Sequence, residues 1–158
     1  MRLVFAACAL ALLPVLAEGA PPPKPAESPK QADDDSAWDI PEAARDRPNP
    51  LSPSAETLRV ARVLWRTHCE TCHGVQGRGD GPNARLHERR KGHAPRNLTD
   101  PNVQENLTDG EIFFRVSKGI VEEGNIIMPS FETKVPEETQ RWQLVLFVRE
   151  LGRAAKRY

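Results

Sequence analysis

Cys69-Glu70-Thr71-Cys72-His73 sets two thiols two residues apart and follows them at once with an imidazole. Two sulfurs at this spacing reach the two vinyl groups of one porphyrin, and C-x-x-C-H is the spacing of covalent haem attachment. His73 then lies under the iron and can bind it. Two other chemistries use a CxxC pair. A structural zinc site needs four ligands, and this chain has no second CxxC. His68, His87 and His93 complete only an irregular set. A redox dithiol follows a strand and opens a helix, whereas here the motif closes a helical pattern and no βαβ unit surrounds it.

An iron with one His has a second axial position, and its occupant decides the function. Apart from Met1, Met128 is the only methionine. It sits in Ile126-Ile127-Met128-Pro129-Ser130-Phe131, where Pro129 stiffens the backbone and helps to hold a weak thioether ligand. A Met that merely fills a core gap is the simpler alternative. The remaining candidates are His68, which adjoins Cys69, and His87 and His93, which lie in a basic segment.

These residues need elements to hold them. A first helix is expected from Ser52 or Ser54, with Val60, Val63, Leu64 and Thr67 on its buried face, running into Cys69. Gly74, Gly77, Gly79 and Gly81 end it in an irregular loop that lets the backbone approach a haem edge. Thr108-Asp109-Gly110-Glu111 is a capping box that opens a second helix, which Gly119 stops. A third helix is expected from Pro136 to Leu151, stopped by Gly152. Only Ile126-Ile127 looks extended. The fold class is therefore all-α: three main helices with long loops at residues 74–107 and 120–135 around one covalently bound haem. Loops that long without structure are unusual unless a large cofactor fills the centre.

The whole chain sets further bounds. Its 158 residues suit one domain of about 100 residues plus extra segments. The formal net charge is zero, which indicates no nucleic-acid partner. No Walker loop, GxGxxG or GxSxG occurs. With Cys69 and Cys72 committed to haem, only Cys8 remains, so no structural disulfide is expected. Arg2 and the apolar run that follows, ending in Val15-Leu16-Ala17, read as an export signal over residues 1–17. Two rival readings stay open: an uncut anchor, although about 15 residues fall short of the roughly 20 needed to span, and lipidation at Cys8. Residues 18–53 hold nine prolines with Lys, Ser and an Asp33-Asp34-Asp35 run, the composition of an extended linker or arm. Trp38 and Ile40 are candidates to pack back on the domain. The domain itself is placed at residues 54–152, with a short basic tail at 153–158.

Taken together, these residues resemble the class I c-type cytochromes of short, exported bacterial type. Cys69-Glu70-Thr71-Cys72-His73-Gly74 is similar to their attachment site, and Gly77-Arg78-Gly79-Asp80-Gly81-Pro82 to the loop that follows it. Asn97-Leu98-Thr99 and Leu107-Thr108-Asp109-Gly110-Glu111 resemble the middle segment, Met128-Pro129-Ser130-Phe131 the distal-ligand loop, and Trp142 to Leu151 the closing helix. The resemblance spans about residues 54–152. It implies that the Pro82 carbonyl accepts a hydrogen bond from His73, which orients the ring. It also implies a close crossing of the first and last helices at Ala61 and Trp65 against Leu144 and Phe147. Arg85, Arg89, Arg90, Lys91 and Arg96 form a basic segment that either docks an acidic partner or is simply solvated, with Arg96 a candidate partner for a haem propionate.

The implied function is single-electron transfer by one haem c with His73 and Met128 as axial ligands. An apolar pocket of Phe113, Phe114, Ile126, Phe131 and Trp142 is expected to exclude water. The partners would be a redox donor and acceptor, in a periplasmic respiratory or related chain, with no small-molecule substrate. One alternative is a monohaem subunit of a membrane respiratory complex. Another is a haem sensor or enzyme with an open distal position, and a third is a zinc or dithiol module.

Overall fold

The computed structural model describes residues 40–157. The expected export signal at 1–17 with Cys8, most of the expected arm, and Trp38 lie outside the described residues.

Three helices are the longest elements of the described chain: α2 (Ala55–His68), α6 (Asp109–Lys118) and α7 (Glu138–Ala155). Shorter turns lie between and before them: α1 (Glu42–Arg45), α3 (Glu70–His73), α4 (Ala84–Lys91) and α5 (Pro101–Asn106). β1 (Ile120–Glu122) and β2 (Asn125–Met128) form one antiparallel hairpin. The segments expected as unstructured loops, 74–107 and 120–135, thus carry two short helices and a hairpin.

α2 starts at Ser54, not Ser52. The Ser54 hydroxyl accepts from Thr57 N–H while Thr57 returns a bond to Ser54 N–H, and this reciprocal box fixes the start. Its buried stripe is Ala61, Trp65 and Cys69, spaced by four. The expected face is displaced: Val63 is 48% exposed. α6 opens at the Thr108–Glu111 capping box as expected and ends at Gly119.

α7 runs through Gly152 to Ala155 and does not stop where Gly was expected to stop it. The reason is packing. A Cβ at 152 would strike the Gln104 side chain, so this glycine serves close approach to α5. The expected basic tail at 153–158 is accordingly helical in its first residues.

α2 packs against α7, with Trp65 and Phe147 ring centroids 5.4 Å apart and Ala61 fully buried. The implied crossing at Ala61, Trp65, Leu144 and Phe147 is the crossing observed. Arg149 of α7 binds the junction of α5 and α6: Nε pairs with Asp109 at 2.7 Å, Nη1 donates to Gln104 O and Nη2 to Leu107 O. These two carbonyls lie at the end of α5, where helix geometry leaves acceptors over.

Residues 40–53, placed by composition in a free arm, are packed on the domain. Ile40 is buried. Thr108 Oγ1 donates to Arg45 O at 2.7 Å, and Asn49 Nδ2 donates to Trp142 O at 3.1 Å. The Arg47 guanidinium lies 4.9 Å from the Phe113 ring centroid and pairs with Glu138. Gly110 makes room for this strap, because a Cβ there would collide with the Ala44 and Arg45 carbonyls. Proline content predicts a missing helix or strand, but it does not predict the absence of specific polar contacts.

Candidate haem-binding site

The attachment motif forms one tight turn at the end of α2. Cys69 N–H still donates to Trp65 O at 2.8 Å, and then His73 N–H donates to Cys69 O and Gly74 N–H to Glu70 O. Cys69, Cys72 and His73 therefore share a single helical turn. Cys69 sits on the buried stripe of α2 and Cys72 is half-buried; neither is in a disulfide. Burial, with the neighbouring Cys72, pushes the Cys69 thiol up to about 12. Burial also raises Cys72. The free sulfurs are thus held as neutral thiols, which suits conversion to uncharged thioethers. Among the described residues, no group of three His, Cys, Asp or Glu side chains gathers as a metal cluster.

His73 is fixed on three sides. Its carbonyl accepts from Gly79 N–H at 2.9 Å, its ring lies 6.0 Å from Trp65, and Nδ1 lies 3.1 Å from Arg96 O. A carbonyl only accepts, so this contact assigns the proton to Nδ1 and leaves the Nε2 lone pair for a metal. Burial holds the ring below the usual imidazole range, against the opposing pull of the Arg96 carbonyl, and the nearby His87 lowers it further. His73 is therefore neutral at physiological pH, as ligation requires.

The carbonyl on Nδ1 belongs to Arg96, not to Pro82. Pro82 is exposed, in the loop where Gly81 N–H and Asn83 N–H bond back to Cys72 O and Thr71 O. Its position braces the attachment turn instead. The buried Pro95 just before Arg96 was the signal available in the sequence: a second proline-stiffened turn downstream of the glycine loop. Leu98 N–H donates to Gly77 O at 2.7 Å and holds the segment with Arg96 alongside that loop. Arg96 thus enters the site through its backbone, while Arg85, Arg89, Arg90 and Lys91 lie exposed on α4.

Met128 ends β2, opposite Ile120, and packs half-buried against the core. The residues after it are pinned to the end of α6: Ser130 Oγ donates to Ser117 O at 2.6 Å and Phe131 N–H to Val116 O at 3.1 Å. Arg141, which the sequence reading missed, braces the same loop. It is buried, donates from Nε to Ser117 Oγ, and donates from Nη1 to Val135 O and Pro136 O. A charged residue amid the apolar run of α7 was the only hint.

The rival histidines are otherwise engaged. His87 has both ring nitrogens against carbonyls, His93 O at 2.9 Å and Ile127 O at 2.6 Å. His93 Nε2 pairs with Glu122 at 2.5 Å. His68 packs edge-on to Phe131 at 6.0 Å. The expected apolar pocket is only partly realised: Phe131 is buried, but Ile126 is 55% exposed. Phe113 stacks on Trp142 at 4.0 Å beneath Arg47.

The donor set fits a covalent haem. Two unpaired thiols sit on the turn that carries a neutral imidazole with Nε2 available, and a thioether stands on a separately braced loop.

The family model described as cytochrome C oxidase, cbb3-type, subunit III matches residues 56–148. No curated protein matches. Among solved structures, the KustC0563 c-type cytochrome is 26% identical with a TM-score of 0.46, covering 58% of this chain and 95% of that one. A chain of the Kuenenia stuttgartiensis reducing HAO-like protein complex Kustc0457/Kustc0458 is also 26% identical, with a TM-score of 0.49. The match covers 65% of this chain and 46% of that one, so the present chain spans less than half of its length.

Proposed function

This chain belongs to the cytochrome C oxidase, cbb3-type, subunit III family and is a c-type cytochrome, and from that premise we propose that it carries single electrons on one haem c bound through Cys69 and Cys72. Held there, the haem supplies an iron couple that accepts and returns one electron. Cys69 and Cys72 fix the macrocycle to the end of α2. Arg96 O holds the Nδ1 proton of His73, which orients Nε2 and raises its basicity. Met128 offers a neutral thioether, which favours the reduced state over a second imidazole. The loop 128–136, braced by Ser117 and Arg141, keeps that ligand in place in both redox states, which limits reorganisation. Arg96 is the candidate to pair with a propionate.

The single observation that carries this reading is the His73 environment: one nitrogen satisfied by a backbone carbonyl and the other left for metal. A thioether on a separately braced loop would fill the second axial position, so electron carriage is favoured over a sensor or enzyme with an open one. The exported, periplasmic placement follows from the N-terminal apolar run, and no described helix is long and apolar enough to cross a membrane. A second reading, a subunit of a respiratory oxidase complex, rests on the family's description. Co-purification with a membrane oxidase activity distinguishes it from a free shuttle.

The test is a potentiometric titration of the purified protein together with its mass. The expected result is one haem retained under denaturing conditions and a single Nernstian one-electron wave. A haem lost on denaturation, or a catalytic wave with peroxide or oxygen, contradicts the proposal.

A further inference from the structure

The hairpin that carries Met128 is irregular in a specific way. Val121 pairs with Ile126 and Ile120 pairs with Met128, so Ile127 is the extra residue of a β-bulge. A bulge re-aims the side chain that follows it and leaves the backbone of the extra residue outside the ladder. The Ile127 carbonyl belongs to the peptide that enters Met128, so whatever holds it sets the plane from which the Met128 side chain departs. His87 holds it: Nε2 lies 2.6 Å from Ile127 O. The other nitrogen of the ring faces His93 O, and His93 in turn pairs with Glu122 on β1. His87 thus reaches from α4 to the bulge, while α4 is built onto the attachment turn through Asn83 N–H to Thr71 O.

We propose that His87 is a positioning residue for the distal ligand: it donates to the bulged Ile127 carbonyl and so aims Met128. The inference rests on Met128 being the axial ligand. It assigns the otherwise unexplained histidine of the basic segment to the ligand loop, not to the iron or to a docking face. Pro129, Ser130 and Arg141 fix the loop after Met128, and His87 is the tie before it. Removing that donor leaves a half-buried carbonyl to seek water and frees the peptide plane to rotate.

The experiment uses the full-length holoprotein, following the near-infrared sulfur-to-iron band of the oxidised form with temperature. His87→Leu removes the ring donor, whereas His87→Gln keeps an amide donor near the Nε2 position. The expected result is that His87→Leu raises the fraction of iron without Met128 by about fivefold at a given temperature, the weight of one net hydrogen bond. His87→Gln returns most of the loss, and the temperature of global unfolding by far-ultraviolet circular dichroism moves less than the band does. If His87→Leu does not accumulate as holoprotein, His87→Asn, too short to reach Ile127, takes its place with the same expectation. A band as heat-stable in the donor-free variant as in the unmutated protein overturns the proposal, and so does a His87→Gln protein no better than His87→Leu. A band absent from the unmutated protein overturns the Met128 assignment itself, a failure distinct from an unmoved band.

Discussion

Trp65 joins the core to the site, and truncating it separates the two contributions. The side chain is 2% exposed, touches Phe147 across the α2–α7 crossing, and donates from Nε1 to Gly74 O at 3.2 Å, one residue past His73. Gly74 O also accepts from Gly77 N–H, so Trp65→Phe does not strand that carbonyl. The loss is therefore about 1 kcal/mol for the net hydrogen bond, with a further cost of about 1–2 kcal/mol for the gap left by the smaller ring. A total of about 2–3 kcal/mol lowers the unfolding temperature by roughly 8–12 °C for a domain of this size. Trp65→Ala removes the whole indole and is expected to cost about 4 kcal/mol. The assay is thermal unfolding of the holoprotein at fixed pH, read by circular dichroism. If Trp65→Phe unfolds within one or two degrees of the unmutated protein, the indole is not the bridge between crossing and site that the geometry describes.

Arg149→Leu strips an ion pair and two carbonyl bonds from the α5–α6 junction and is expected to cost about 3 kcal/mol, seen as a lower urea midpoint at unchanged slope. A midpoint shift worth less than 1 kcal/mol would mean that water replaces the guanidinium freely. Gly110→Ala drives a Cβ into the Ala44 and Arg45 carbonyls; it is expected to cost about 1–3 kcal/mol and to loosen the strap selectively. The check is hydrogen exchange over residues 41–51, which should quicken while α7 stays protected; uniform exchange across both refutes it. Arg141→Met removes the buried brace of the 130–136 loop. It should destabilise by about 3 kcal/mol, because three oxygens lose a charged donor, and a stability equal to the unmutated protein's would contradict this.

What the sequence made legible was chemistry set by spacing along the chain. C-x-x-C-H, the Thr108–Glu111 box and the Met-Pro pair each depend on neighbours within a few residues, and each lies where those neighbours put it. The α2–α7 crossing was legible only through the resemblance, since nothing local in Ala61 or Leu144 points across the molecule. What stayed hidden was long-range polar pairing. Arg96 O on His73, His87 on Ile127 and Arg47 over Phe113 join residues far apart in sequence, and their side-chain types are also those of a solvated surface. Gly152 shows the same limit from the other side: locally it reads as a helix stop, but its partner is Gln104 on another helix. Residues 40–53 of the expected arm misled for a related reason: Ile40 was legible as a packing candidate, but the proline content hid the anchors at Arg47 and Asn49.

The most direct test of the account is the near-infrared spectrum of the oxidised holoprotein, taken beside Met128→Ala. The account predicts the sulfur-to-iron band in the unmutated protein and its loss in the variant, with the haem still bound covalently in both. A band that survives Met128→Ala, or a mature protein with no covalent haem, would contradict it.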